Sequence, residues 1–156
     1  MSVKPIPEGY HTVTPYINVK DARKFLEFIK KAFDAKVHYI MEYEGMVGHA
    51  DIQIGDSRLM VSEASENMNP AQQISLYLYV PDSDAAYKKA LDAGATSIME
   101  PANQFYGDRN SGVKDFAGNT WWMATHIEDV PEDQLEKRME EGKKAMSEEK
   151  DRSKIN

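Results

Sequence analysis

The stretch Gln73-Ile74-Ser75-Leu76-Tyr77-Leu78-Tyr79-Val80-Pro81-Asp82 alternates side chains and then stops at an acid. Period-two alternation is the mark of a strand with one face buried. It sets Leu76, Leu78 and Val80 on one side and Ser75, Tyr77 and Tyr79 on the other. About 60 residues earlier, His11–Val19 has the same character and ends on Val19-Lys20-Asp21. Val13, Ile17 and Val19 share one face there, and Thr12, Thr14, Tyr16 and Asn18 the other. Pro15 cannot donate to a ladder, which implies an edge or an irregular pairing. Asp21 and Asp82 each stand where an N-cap carboxylate can accept orphan helix N–H groups. The helices that follow are expected over Ala22–Phe33 and Ser83–Ala93. Phe25, Phe28, Ile29, Ala32 and Phe33 form the first apolar face, and Gly94 suits the C′ position.

Working outward, three strands follow the first helix, at Lys36–Tyr43, Val47–Ile54 and Ser57–Ala64, with turns at Glu44-Gly45 and Gly55-Asp56. After the second helix come Thr96–Met99, a loop Gln104-Phe105-Tyr106-Gly107-Asp108-Arg109, a strand ending near Asp115, the turn Ala117-Gly118-Asn119 and the strand Thr120–His126. The order strand, helix, three strands therefore occurs twice, with halves at about 10–65 and 73–127. The expected fold class is α+β: tandem βαβββ modules forming a curved mixed sheet with a cleft, plus a C-terminal helix. One domain spans residues 1–130, and residues 131–156 form a charged helix and tail. Asp129-Val130-Pro131-Glu132 reads as a capping box for that helix, Gly142 weakens it, and Ser147–Asn156 is expected to fray.

The 156 residues carry 19 basic and 26 acidic side chains, a net charge of −7. Residues 131–156 hold eight acids and seven bases, so the acidity belongs to the body. An acidic chain without a basic stripe is a poor candidate for nucleic acid or an anionic membrane. With no cysteine, disulfides, thiolate metal sites and Cys nucleophiles are excluded. No apolar run reaches a membrane span, and Met1-Ser2-Val3-Lys4-Pro5 lacks the apolar core of a secretory signal. The expected setting is the cytoplasm.

If each helix covers one face of its sheet, the opposite polar and aromatic faces line a cleft. Its expected lining is Thr12, Thr14, Tyr16, Asn18, His49, Asp51, Leu59, Ser75, Tyr77, Tyr79 and Trp122, with Tyr106 and Arg109 at the rim. Aromatic walls with a few polar groups suit a small molecule. They could equally meet a second subunit. His49 and Asp51, two apart on one strand, could act as a general base and its orienting carboxylate, or as a structural pair. Arg109 could hold a ligand carboxylate or phosphate bidentately, or an acid such as Asp108. Gly107 implies special backbone angles in its loop.

Several motifs in order carry a resemblance: Val19-Lys20-Asp21 before a helix containing Phe28, then Gly55-Asp56-Ser57-Arg58-Leu59-Met60. The chain resembles the glyoxalase/bleomycin-resistance/dioxygenase group, the vicinal oxygen chelate superfamily. Pro7-Glu8-Gly9-Tyr10, His49-Ala50, Gln104–Arg109 and Ala124-Thr125-His126 resemble its PhnB-like branch. The resemblance spans roughly residues 7–131 and implies a homodimer with a small-molecule cleft. It also implies, for the superfamily's enzymes, one divalent metal held by His, Glu or Gln from the first and fourth strands of each half. Carried over position by position, those corners are Thr14, Leu59 (with Met60 next), Ser75 and Trp122. None is a normal ligand for a hard or borderline cation. No cofactor is expected, and a metal only at a relocated site. Two readings follow: a metal-free small-molecule binder using Thr14, Tyr16, Ser75, Tyr77, Tyr106, Arg109 and Trp122, or an enzyme. The enzyme would be a metal-dependent lyase, isomerase or dioxygenase, or a metal-free catalyst working through His49 and Asp51. A scaffold with no ligand is the third option.

Overall fold

Eight strands divide into two mixed four-stranded sheets of the same internal order, as a computed structural model describing residues 3–153 shows. The first half runs β1 (Tyr16–Val19), α1 (Ala22–Phe33), β2 (Lys36–Tyr43), β3 (Met46–Ile54) and β4 (Ser57–Glu63). The second runs β5 (Ser75–Tyr79), α2 (Ser83–Asp92), β6 (Thr96–Asn103), β7 (Asp108–Lys114) and β8 (Thr120–His126), and α3 (Glu132–Ser153) follows. The sheet orders are β1-β4-β3-β2 and β5-β8-β7-β6. In each, the first strand lies parallel to the last and the other pairs are antiparallel.

Local chemistry explains the helix starts. Asp21 adopts a left-handed conformation and its carboxylate accepts from Lys24 N. The Glu63 carboxylate, arriving on β4, accepts from the backbone N–H groups of Asp21 and Ala22 at 2.8 Å each. Three of the orphan donors at the start of α1 are thus met by acids, which also suit the positive end of the helix dipole. Asp82 caps α2 through Ala85 N.

The helix-facing side of each sheet is apolar: Ile17, Val19, Ala50, Ile52, Leu59 and Val61 in the first, Val113, Trp121 and Met123 in the second. All belong to one core with the buried stripe of α1. Trp121 reaches from β8 to the rings of Phe25, Phe28 and Phe33, with centroids at 6.1, 6.4 and 4.6 Å. Its Nε1 donates to Asp115 Oδ2 at 2.9 Å. At the edges Lys89 of α2 pairs with Asp34 at the end of α1, and Lys24 lies over the Phe116 ring.

Several expectations change. β1 begins at Tyr16 rather than His11, because the ladder opens where Pro15 offers only its carbonyl, to Met60 N. Val13 therefore lies outside the strand, 81% exposed. β6 runs on to Asn103, since its register shift between Met99 and Ala102 absorbs Pro101 at the edge of the sheet. Leu59 packs in the core opposite Ile52, so it faces the helix and not the open side. The expected capping box does not form: α3 starts at Glu132, and the Asp129 carboxylate meets His126. Residues 147–153 are helical rather than frayed. The remainder of the expected tail, and Met1 and Ser2 of the N-terminal segment, lie outside the described residues. Among the described residues no helix is long and apolar enough to cross a membrane.

Replacing Trp121 by Ala should cost about 3–5 kcal/mol, the usual range for deleting a large buried ring. Trp121→Phe should cost about 1–3 kcal/mol by leaving the buried Asp115 oxygen short of a donor. Urea denaturation of both variants checks this; a Trp121→Phe variant as stable as the parent would mean that the Nε1 hydrogen bond contributes nothing.

Candidate functional site

Period-two geometry leaves each sheet an open face opposite its helix. On the first, register puts Tyr16 and Asp51 both opposite Met60. The Tyr16 hydroxyl lies 3.1 Å from His49 Nδ1, and His49 Nε2 lies 3.0 Å from Asp51 Oδ1. Tyr10 also hydrogen-bonds Asp51. Burial by itself would raise the Asp51 carboxyl, but the bonds from Tyr10 and His49, with the charge of Arg58, outweigh it and hold the group below its ordinary value.

On the second sheet, Tyr77 and Gly112 lie opposite Trp122, Tyr79 and Asn110 opposite Ala124, and Asp108 opposite His126. A Cβ on Gly112 would stand 2.6 Å from Trp122 Cζ3, so the indole lies where β7 has no side chain. Asp108, 3% exposed, is the centre of this face. Its Oδ2 accepts from the Tyr77 and Tyr79 hydroxyls at 3.1 Å each, and its Oδ1 from His126 Nδ1 at 2.8 Å. Burial would raise the Asp108 carboxyl, but those donors hold it below its usual range. Burial, chiefly, pushes the Tyr77 phenol up. Asn110 Nδ2 donates to the hydroxyls of Tyr77 and Tyr106 at 3.2 and 2.8 Å. Its Oδ1 is buried with no partner.

Beside the open faces, a groove of about 1030 Å³ separates the halves. It is walled by Gln53 and Arg58 of the β3–β4 hairpin, Leu76 and Tyr79 of β5, and Ala85 and Lys89 of α2. Of the residues expected to line a cleft it takes Leu59, Tyr77 and Tyr79, and not Tyr16, His49, Asp51 or Trp122. Among the described residues no side-chain hydrogen bond or ring contact joins the two open faces.

The expected site residues therefore separate. Tyr16, His49 and Asp51 come together on the first sheet, and Tyr77, Tyr106 and Trp122 on the second. Thr14 lies before β1, where its hydroxyl donates to the His11 carbonyl. Ser75 is exposed at the start of β5. Arg109 turns to the helix side and forks onto Asp84 of α2 at 2.5 and 2.7 Å, with a third bond to Asn103. It meets Asp84 rather than Asp108. Gly107 has φ +97°, and a Cβ there would stand 2.0 Å from the Glu128 carbonyl oxygen. That special backbone carries Asp108 into the strand.

Asp108 and Asn110 are functional candidates that the sequence did not mark. Their signal was the polar residue at every second position of a strand whose intervening residues face α2. The open-face residue of β4 is Met60, which takes the corner assigned by count to Leu59. A hydroxyl, a thioether, a hydroxyl and an indole at Thr14, Met60, Ser75 and Trp122 do not fit a hard or borderline cation. Among the described residues no group of three or more His, Asp and Glu is placed to hold a metal ion.

Both ring nitrogens of His126 meet carboxylates, Asp108 and Asp129. The bond to Asp129 first, then that to Asp108, raises its imidazolium above the ordinary 6.5. A raised value gives stability that is full below 6.5 and lost as pH climbs through the folded value. The lowered Asp108 gives stability that is lost as pH falls through its own folded value. His126→Gln should flatten the loss of stability on the alkaline side, and Asp129→Asn should move the His126 NMR titration downward. An unmoved titration in Asp129→Asn would remove Asp129 from this account.

The family model for the Glyoxalase/Bleomycin resistance protein/Dioxygenase superfamily matches residues 10–123. An uncharacterized Mycobacterium bovis protein, Mb0911c, is 28% identical over 138 residues, covering 81% of this chain and 91% of that one. Among solved structures, the PhnB protein from Bacillus cereus superposes with TM-score 0.60 at 16% identity, covering 74% and 99% of the two chains. TnmS3 from Streptomyces sp. CB03234, titled an antibiotic binding protein, gives TM-score 0.61 at 18% identity, with coverage of 81% and 98%.

Proposed function

The chain belongs to the Glyoxalase/Bleomycin resistance protein/Dioxygenase superfamily, and from that premise we propose that it is a metal-free binder of a small planar molecule. The ligand seats on the open face of the second sheet, with its ring against Trp122 and Tyr77. The observation that carries this reading is Asn110 Oδ1, a buried acceptor with no donor beside two hydroxyls that line an open aromatic surface. An unmet buried acceptor costs about 1–3 kcal/mol. A ligand N–H or O–H that reaches it when Tyr77 or Tyr106 shifts recovers that cost. The ligand class is thus an aromatic or otherwise flat molecule with a hydrogen-bond donor on its edge, such as a phenol or an aryl amide. Support by likeness comes from TnmS3, an antibiotic binding protein. The two proteins share a fold, and in this chain the open face of the second sheet carries Tyr77, Tyr79 and Trp122.

A library of phenols and aryl amides screened by thermal shift and tryptophan fluorescence tests this. Binding should raise Tm by linkage, equivalent to about 2.7 kcal/mol at one hundred times Kd. Trp122→Ala should abolish the shift. Asn110→Ala, checked for folding by circular dichroism, should weaken binding about tenfold, the worth of ~1.4 kcal/mol. A library in which nothing shifts Tm, or hits that bind Trp122→Ala as well as the parent, would sink the reading.

A further inference from the structure

The first sheet carries a second constellation that the ligand reading leaves unused. β1 contributes Tyr16, and β3 contributes His49 and Asp51, two residues apart on one face. With His49 neutral, elementary chemistry gives the order of their hydrogen bonds. An ionised carboxylate can only accept, so His49 Nε2 carries the hydrogen toward Asp51 Oδ1, 3.0 Å away. The neutral ring then keeps a lone pair on Nδ1, so the Tyr16 hydroxyl donates to it across 3.1 Å. Both nitrogens of His49 are engaged. His49 cannot meet a substrate directly, and the free end of the chain of bonds is the Tyr16 oxygen, on a side chain 47% exposed. Tyr10 and Arg58 stand behind Asp51, Tyr10 by a hydrogen bond and Arg58 by its charge, and keep that carboxylate an anion able to steady an imidazolium. Tyr39 and Met41, both half-exposed, continue this face on β2 as an apolar neighbour for a substrate.

A hydroxyl donating to an imidazole that donates to a carboxylate is the arrangement that activates a weak nucleophile. We propose that Tyr16 is a nucleophile for acyl transfer from activated esters of small carboxylic acids. The phenol oxygen bonds to the ester carbonyl carbon while its proton passes to His49 Nδ1. The bond from that carbon to the leaving oxygen then breaks, and the leaving group takes the proton from the imidazolium. Tyr16 is left as an aryl ester. Water attacks that ester with His49 Nδ1 accepting its proton, which releases the acid and returns the phenol. Tyr16 and His49 are the catalytic residues, and Asp51 is a positioning residue. This activity needs no metal and is separate from the ligand face of the second sheet.

The test uses the full chain and p-nitrophenyl acetate. The expected result is a burst of about one p-nitrophenolate per chain, with one acetyl group found by mass spectrometry on the peptide that contains Tyr16. Tyr16→Phe, which keeps the ring, should remove the burst and the label. His49→Gln should slow acylation about a hundredfold, the low end for loss of a positioned base. Asp51→Asn should slow the burst, with part of the rate restored in Asp51→Glu; melting curves establish that each variant is folded. A burst unchanged in Tyr16→Phe, acetyl groups only on lysines or on His49, or a His49→Gln rate equal to the parent would each overturn the proposal.

Discussion

The indole of Trp121 is the contact on which the two halves depend. Each βαβββ unit can bury one side of its sheet beneath a single helix, but α1 has an apolar stripe wider than its own sheet needs. Phe25, Phe28 and Phe33 extend that stripe toward the second half, and Trp121 answers from β8. A ring this large would leave an indole N–H stranded in apolar surroundings. Asp115 removes that penalty, and the same carboxylate accepts from the backbone of Ala117 and Asn119 and from the Asn119 side chain. One buried acid therefore shapes the β7–β8 turn and anchors the ring that joins the halves.

The shared core takes up most of the helix sides, and both polar clusters sit on the open sides. The alternation of strands enforces the separation. Arg109 and Ser111 point to α2 and serve it, whereas Asp108 and Asn110 between and beside them face out. An arginine that looks in sequence like a ligand anchor is thereby spent on a helix. The acid beside it, which looks like that arginine's partner, becomes the centre of a tyrosine and histidine cluster.

The element order, the two N-caps, the apolar stripe of α1 and the shared face of His49 and Asp51 were legible because each rests on local periodicity or on one capping residue. What was not legible depends on register. Counting four residues from each hairpin glycine put Leu59 and Trp122 at equivalent corners. The first hairpin closes with Gly55 and Asp56 between paired Ile54 and Ser57, while the second spends residues 115–119 between paired Lys114 and Thr120. In both, the first paired residue stands two after the glycine, but Ser57 is in phase with Leu59 on the helix-facing side and Thr120 with Trp122 on the open side, so the same count reaches opposite faces. Leu59 therefore went to the core and Met60 took its place. Asp129 escaped for a similar reason: a capping box is a local pattern, and the competing bond to His126 is tertiary.

The ladders also show how duplicated halves came to carry different faces. Tyr16 and Asp51 flank Met60 in the first sheet, and Tyr77 and Gly112 flank Trp122 in the second. The tyrosines correspond, as do Met60 and Trp122, and Asp51 corresponds to Gly112. Two residues earlier on the same strands, His49 corresponds to Asn110. Where β3 keeps a carboxylate, its neighbour can be a histidine with a fixed tautomer, and the tyrosine gains a proton acceptor. Where β7 has glycine, no carboxylate orients a base, and the vacated space admits an indole. Asn110 then holds Tyr77 through an amide that neither gains nor loses protons. The pairing of Asp with His and of Gly with Trp is a steric and electrostatic choice made at three corresponding positions, 49 with 110, 51 with 112 and 60 with 122. It gives one face a chain of tyrosine, histidine and aspartate and the other a tyrosine beside an indole, on one backbone used twice.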